Sequence, residues 1–149
     1  MKMKIYLDTC CLNRPYDDQT QARIFLESEA VLRILRFIQN RRRQLVGSDA
    51  IEFENSKNPK KDVRNRIVKM LQMADHHITI GKREEQRAKV LSTLGFDTYD
   101  ALHLACAESA GANGLLTTDD DFLRCAKKNA GKIDVQVYNP IEWIAEVEK

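Results

Sequence analysis

Lys4-Ile5-Tyr6-Leu7-Asp8-Thr9 decides the fold. This apolar, β-prone run stops at a carboxylate and a hydroxyl, which predicts a buried strand ending at a site. Open α/β sheets bind ligands in the crevice beyond the C-terminal ends of their parallel strands, and Asp8 would stand there. A charge that follows a buried run is costly unless partnered. The competing role for Asp8 is structural: closing a turn through its own side chain.

Working outward, Cys10 to Thr20 reads as a loop, marked by Asn13, Arg14, Pro15 and two aspartates. A helix is predicted from about Gln21 to Asn40. Ile24, Val31, Ile34, Leu35 and Ile38 form its inner stripe, while Arg23, Glu27, Arg33 and Arg36 take the other sides. Gln44 to Gly47 is a second strand, followed by a short helix capped by Ser48 or Asp49. Pro59 opens a further helix with Val63, Ile67, Met70 and Leu71 inward. His76 to Ile80 is a weak strand, and Glu84 to Leu94 is a helix that Gly95 ends. Asp97 or Thr98 caps a helix to Ala110 that is apolar on nearly every side. Gly114 to Thr117 is a strand, Phe122 to about Asn129 a helix, Val135 to Tyr138 a strand, and Pro140 opens the last helix. Strands separated by helices predict a three-layer α/β/α sandwich with a mainly parallel central sheet. No repeat or linker divides it, so residues 1–149 read as a single domain.

The bulk properties narrow the function classes. Basic residues number 24 against 22 acidic, a net charge of +2 that does not by itself announce a nucleic-acid binder. The four cysteines include an adjacent pair, Cys10 and Cys11, and no C-x-x-C, which suits neither a disulfide framework nor a zinc site. Reduced thiols, no signal-like start and no apolar run of roughly 18 residues point to a cytoplasmic protein without a membrane span.

The acidic residues carry the chemistry. At about 100° per residue, Ala50, Ile51 and Phe53 point on average toward Glu54 and away from Glu52, so Glu54 faces inward. Asp97 and Asp100 share a helix face, and phase cannot choose between them. Asp97 is a natural N-cap, and Asp100 sits in the first turn of a deeply placed helix. In Thr117-Thr118-Asp119-Asp120-Asp121-Phe122, Asp119 lies nearest the strand end, with Asp121 in reserve. Carboxylates gathered without a cation would repel one another, and a divalent ion removes that cost. Hard oxygen donors suit Mg²⁺ or Mn²⁺. His103, one turn from Asp100, is read first as a satisfied helix histidine. Arg14, Lys57, Lys60, Lys61, Arg64 and Lys69 could track a phosphate backbone, or be a solvated helix face.

These residues together make the chain resemble the PIN-domain family of metal-dependent nucleases. The resemblance rests on Ile5-Tyr6-Leu7-Asp8-Thr9, Ser48 with Glu54, Asp100-Ala101-Leu102-His103-Leu104-Ala105, and Leu116-Thr117-Thr118-Asp119-Asp120-Asp121-Phe122. It implies an acidic quartet of Asp8, Glu54, Asp100 and Asp119, with Thr9 and Thr117 as polar support, in a Rossmann-like sandwich. It further implies RNA cleavage with Mg²⁺ or Mn²⁺. Small members are frequently VapC-type toxins, often homodimers, held inactive by a cognate antitoxin protein. The Cys10–Asp18 stretch is longer than in many such toxins. The rival expectations are a catalytically inactive binding or regulatory module on the same fold, and a phosphotransfer receiver. The receiver lacks the required lysine after a late strand, since Lys127 and Lys128 fall in a helix.

Overall fold

A computed structural model describes residues 2–148. The first strand, β1 (Lys4–Leu7), has Ile5, Tyr6 and Leu7 fully buried. It is followed by α1 (Thr9–Asn13), a 3-10 turn at Arg14–Tyr16, α2 (Ala22–Gln39), β2 (Gln44–Ser48), α3 (Asp49–Ser56) and α4 (Lys61–Leu71). Next come β3 (His76–Ile78), α5 (Lys82–Thr93), α6 (Thr98–Ala110), β4 (Gly114–Leu116), α7 (Asp120–Lys128), β5 (Val137–Tyr138) and α8 (Pro140–Glu146).

The five strands form one parallel sheet in the order β3-β2-β1-β4-β5. With helices packed around it, this is the expected three-layer α/β/α sandwich. The register sets Ile5 between Leu45 and Gly114. The chain runs outward from β1 through β2 to β3, then returns to the other side of β1 for β4 and β5. The strand order therefore reverses between β1 and β4, and a crevice opens there at the strands' C-terminal ends.

Helix α6 places Ala101, Leu104, Ala105, Cys106 and Ala107 in the core, as its all-round apolar sequence requires. Gly95 (φ +107°) ends the turn after α5, a left-handed conformation in which a side chain would be strained. At Gly114 the reason is space. A Cβ there would lie 2.5 Å from Cζ3 of the buried Trp143, so glycine lets α8 press directly on the sheet. All four cysteines are free, and among the described residues no helix is long and apolar enough to cross a membrane.

Several local expectations need correction. The segment after Asp8 is helical, because the Asp8 side chain accepts from the Cys11 backbone amide and caps α1, and Pro15 then pre-sets the 3-10 turn. Helix α4 starts at Lys61 and not at Pro59, after Asn58 Oδ1 accepts from the Lys60 amide. Phe53, counted as inward, is 56% exposed. Glu27, placed on the outer side of α2, is fully buried. Its carboxylate takes Arg14 Nε (2.9 Å), Arg23 Nε (3.3 Å) and the Asn139 amide, joining the 3-10 turn, α2 and the start of α8.

Candidate active site

Asp8 leaves β1 at the crevice and is almost wholly buried. Its Oδ1 accepts from the Cys11 amide (3.2 Å) and from the Cys10 thiol (2.6 Å). Burial pushes its carboxyl well above the usual carboxylate range. Across the crevice, at the end of β4, Thr117 Oγ1 lies 3.4 Å from Cys10 Sγ and accepts from the Asp119 amide (3.1 Å). Asp119 caps α7 through Oδ1, which accepts from the Asp121 and Phe122 amides. Its Oδ2 has no hydrogen bond among the described residues.

Asp97 caps α6 by accepting from the Asp100 amide, the N-cap role expected of it. Asp100 then sits half-buried in the first turn. Its carboxyl is pushed up to about 8, first by burial and then by the negative charges of Asp97, Asp119, Asp8 and Glu54. Asp119, Asp8 and Glu54 are therefore each within electrostatic reach of Asp100. Among the described residues, Asp8, Asp100 and Asp119 form no ion pair.

Glu54 turns inward from α3 and Glu52 turns away, as phase required. Glu54 Oε1 accepts from His103 Nε2 at 2.7 Å, and the other ring nitrogen, Nδ1, meets the Tyr6 hydroxyl at 2.6 Å. Tyr6 in turn meets Ser48 Oγ at 2.7 Å. The neutral His103 tautomer with hydrogen on Nε2 satisfies the whole row: Ser48 donates to Tyr6, Tyr6 to His103, and His103 to Glu54. Burial opposes charge on Glu54, but the hydrogen bond from His103, the nearby Thr9 hydroxyl and the Lys57 ammonium outweigh it and hold its carboxyl below its usual value. Thr9 Oγ1 is buried and close enough to help Glu54, yet it makes no well-aligned hydrogen bond. Such an orphaned oxygen, aimed among carboxylates, fits a hard cation with its own ligands.

The remaining candidates fall in different places. Asp121 points to solvent and pairs with Arg124, so it does not join the cluster. Asp120 pairs with Arg23. The Arg14 guanidinium is held by Glu27 and Asp17. Lys60, Lys61 and Lys69 are exposed, while Arg64 donates to the Asn58 carbonyl. Lys57 Nζ donates to the Tyr99 hydroxyl.

Two features escaped sequence reasoning. One is the closeness of thiols: ligand atoms of Asp8, Cys10 and Cys11 lie within 4.8 Å of one another, as do those of Asp49, Glu52 and His77. For Asp8, Cys10 and Cys11 nearness in sequence was the available signal, whereas His77 lies 28 positions from Asp49 and gave none. Burial raises the Cys11 thiol far above its usual value and its Sγ donates to the Leu116 carbonyl, so it suits a ligand role poorly. Among the described residues no three of the quartet bring ligand atoms within 4.8 Å of one another, a wider spacing that suits an ion that keeps part of its water shell. The other feature is the depth of the Tyr6–His103–Glu54 row.

Comparison with known proteins agrees with the fold. A family profile for the PIN domain matches residues 5–128. The chain belongs to the PIN domain family. Among solved structures it is similar to VapBC2 from Rickettsia felis bound to a DNA fragment from their promoter. That match has a TM-score of 0.59 and 17% sequence identity, covering 92% of this chain and 98% of the other. At that identity the likeness is one of fold. No curated protein matches.

Proposed function

We propose that residues 1–149 act as one nuclease domain, a divalent-metal-dependent endoribonuclease and the toxin of a type II toxin–antitoxin pair. One observation supports the metal-dependent reading: Asp8, Asp100 and Asp119 have no ion-pair partner among the described residues, and burial together with the nearby carboxylates of Asp97, Asp119, Asp8 and Glu54 raises the Asp100 carboxyl. Asp8, Glu54, Asp100 and Asp119 are the residues that would hold Mg²⁺ or Mn²⁺, with Thr9 and Thr117 beside them. When bound, such an ion lowers the pKa of a coordinated water and stabilises charge on the phosphoryl oxygens.

The chain's own groups supply the positioning. Asp8 and Asp119 are fixed by the helices they cap, and His103 sets the orientation of the Glu54 carboxylate. Exposed Lys57, Lys60, Lys61 and Lys69 supply positive charge for the RNA backbone. The VapBC2 assembly on promoter DNA supports a cognate antitoxin as partner. The deciding measurement is cleavage of single-stranded RNA with Mg²⁺ or Mn²⁺ by wild type, Asp8→Asn and Asp100→Asn. Loss of cleavage in both variants is expected. Equal cleavage by all three proteins ends the metal-site assignment.

A further inference from the structure

We propose that Phe53, Tyr99 and Lys57 form a platform for an unpaired RNA base and its adjoining phosphate at the rim of the acidic cluster. The proposal rests on the ribonuclease reading and adds to it how substrate is held. Phe53 immediately precedes Glu54 on α3, and Tyr99 immediately precedes Asp100 on α6. One step along each helix turns a side chain by about 100°. The aromatics therefore flank the acids instead of entering the core.

The two rings are stacked, with centroids 6.2 Å apart and planes 29° from parallel. Lys57 Nζ lies 4.4 Å from the Phe53 ring centre and 5.6 Å from that of Tyr99, and it donates to the Tyr99 hydroxyl at 2.9 Å. Lys57 follows Glu54 by three residues at the C-terminal cap of α3, so it lies on the same side of that helix as the acid. Neither ring packs against the hydrophobic core, and Phe53 leaves more than half of its surface in water.

An exposed Phe53 beside a half-buried Tyr99 and a cation matches the two surfaces of a single-stranded nucleotide. The base stacks on a ring and the phosphate takes the lysine. Paired RNA offers neither surface, because its bases already stack on one another. The carboxylates a residue away repel phosphates, so a cation at this rim gives the strand an attractive point of entry. Its hydrogen bond to Tyr99 fixes one ammonium hydrogen and leaves two for phosphate oxygens.

The test is fluorescence anisotropy with a labelled single-stranded heptaribonucleotide in EDTA, which prevents hydrolysis. Phe53→Ala is expected to weaken binding by about 5- to 100-fold, Phe53→Trp to retain it, and a duplex of the same sequence to compete poorly. Replacing the stacked base with an abasic linker should weaken wild type and leave Phe53→Ala unchanged. Lys57→Met should lower the slope of log affinity against log salt by about 0.7, the value for one phosphate on a single strand.

Wild-type affinity in Phe53→Ala overturns the platform, as does a wild type that binds no RNA. If Phe53→Ala instead dissociates a dimer in sedimentation velocity and leaves RNA affinity intact, the rings are a contact between copies and the platform is again refuted. The two readings fail separately. Cleavage with unchanged KM in Phe53→Ala removes the platform and keeps the nuclease. Phe53-dependent binding by a protein that cleaves no RNA in Mg²⁺ or Mn²⁺ does the reverse.

Discussion

Two sets of buried acids treat their charge in opposite ways. Glu27, fully buried on α2, receives two arginines and an asparagine amide from three parts of the chain. Asp8, at the end of β1, is nearly as deep but receives a thiol and a backbone amide and forms no ion pair among the described residues. The protein neutralises the first set itself and leaves the second unbalanced. A buried charge with internal counter-ions holds elements together, and one without them is a standing demand for an external cation.

The contrast is most exposed at Glu27. Glu27→Ala leaves the partly buried Arg14 with Asp17 alone and should cost about 3 kcal/mol in urea unfolding, the low end for a broken buried pair because Arg14 keeps Asp17 and Arg23 still reaches water. A variant as stable as wild type would erase the distinction between the sets. For the crevice, Mn²⁺ at about a hundred times its dissociation constant should stabilise wild type by roughly 2.7 kcal/mol in thermal unfolding. Asp8→Asn should lose that response and Glu27→Gln should keep it. An equal response in all three would place the ion elsewhere.

His103→Ala strands the Tyr6 hydroxyl and frees the Glu54 carboxylate. It should cost about 1–3 kcal/mol of stability and lower RNA cleavage by about 10- to 100-fold. Restoration by His103→Gln of stability but not of cleavage would show that the imidazole geometry matters beyond filling space.

The smallest effect is a pH dependence. Because the Asp100 carboxyl is raised in the folded protein, its stabilising contribution is complete below the unfolded carboxylate range and is lost as pH rises through about 8. Metal-free protein should therefore lose on the order of 1 kcal/mol from this group between about pH 4 and 8, allowing for solvent screening of a partly exposed carboxyl. Asp100→Asn should flatten that part of the curve, and an unchanged curve would mean the crowding at Asp100 is not felt.

The legible parts of the molecule were those set by local pattern. The β1 run, the all-apolar face of α6 and Gly95 all announce themselves within a few residues. Glu54 was separable from Glu52 because helix phase needs only its neighbours. Helix α1 was hidden because its five residues are too few to show a period, and its cap is the same Asp8 that ends the strand. Glu27 was misplaced because periodicity treats every glutamate as solvated. Its burial is decided by Arg14, and by Asn139, 112 positions away in sequence. The inward placement of Phe53 failed for the complementary reason: an apolar residue weighs toward the core in any phase sum, though the space beside Glu54 faces water.

The contact between Trp143 and Gly114 also equips the molecule with its own optical gauge. Trp143 is the sole tryptophan in the chain and is buried, with its ring edge-on to Tyr138 (centroids 5.1 Å apart). Its emission therefore watches the seam between α8 and β4, where Trp143 meets Gly114 at the start of the strand. A loosened seam would shift that emission to the red, so fluorescence can separate damage to the scaffold from a change confined to the crevice.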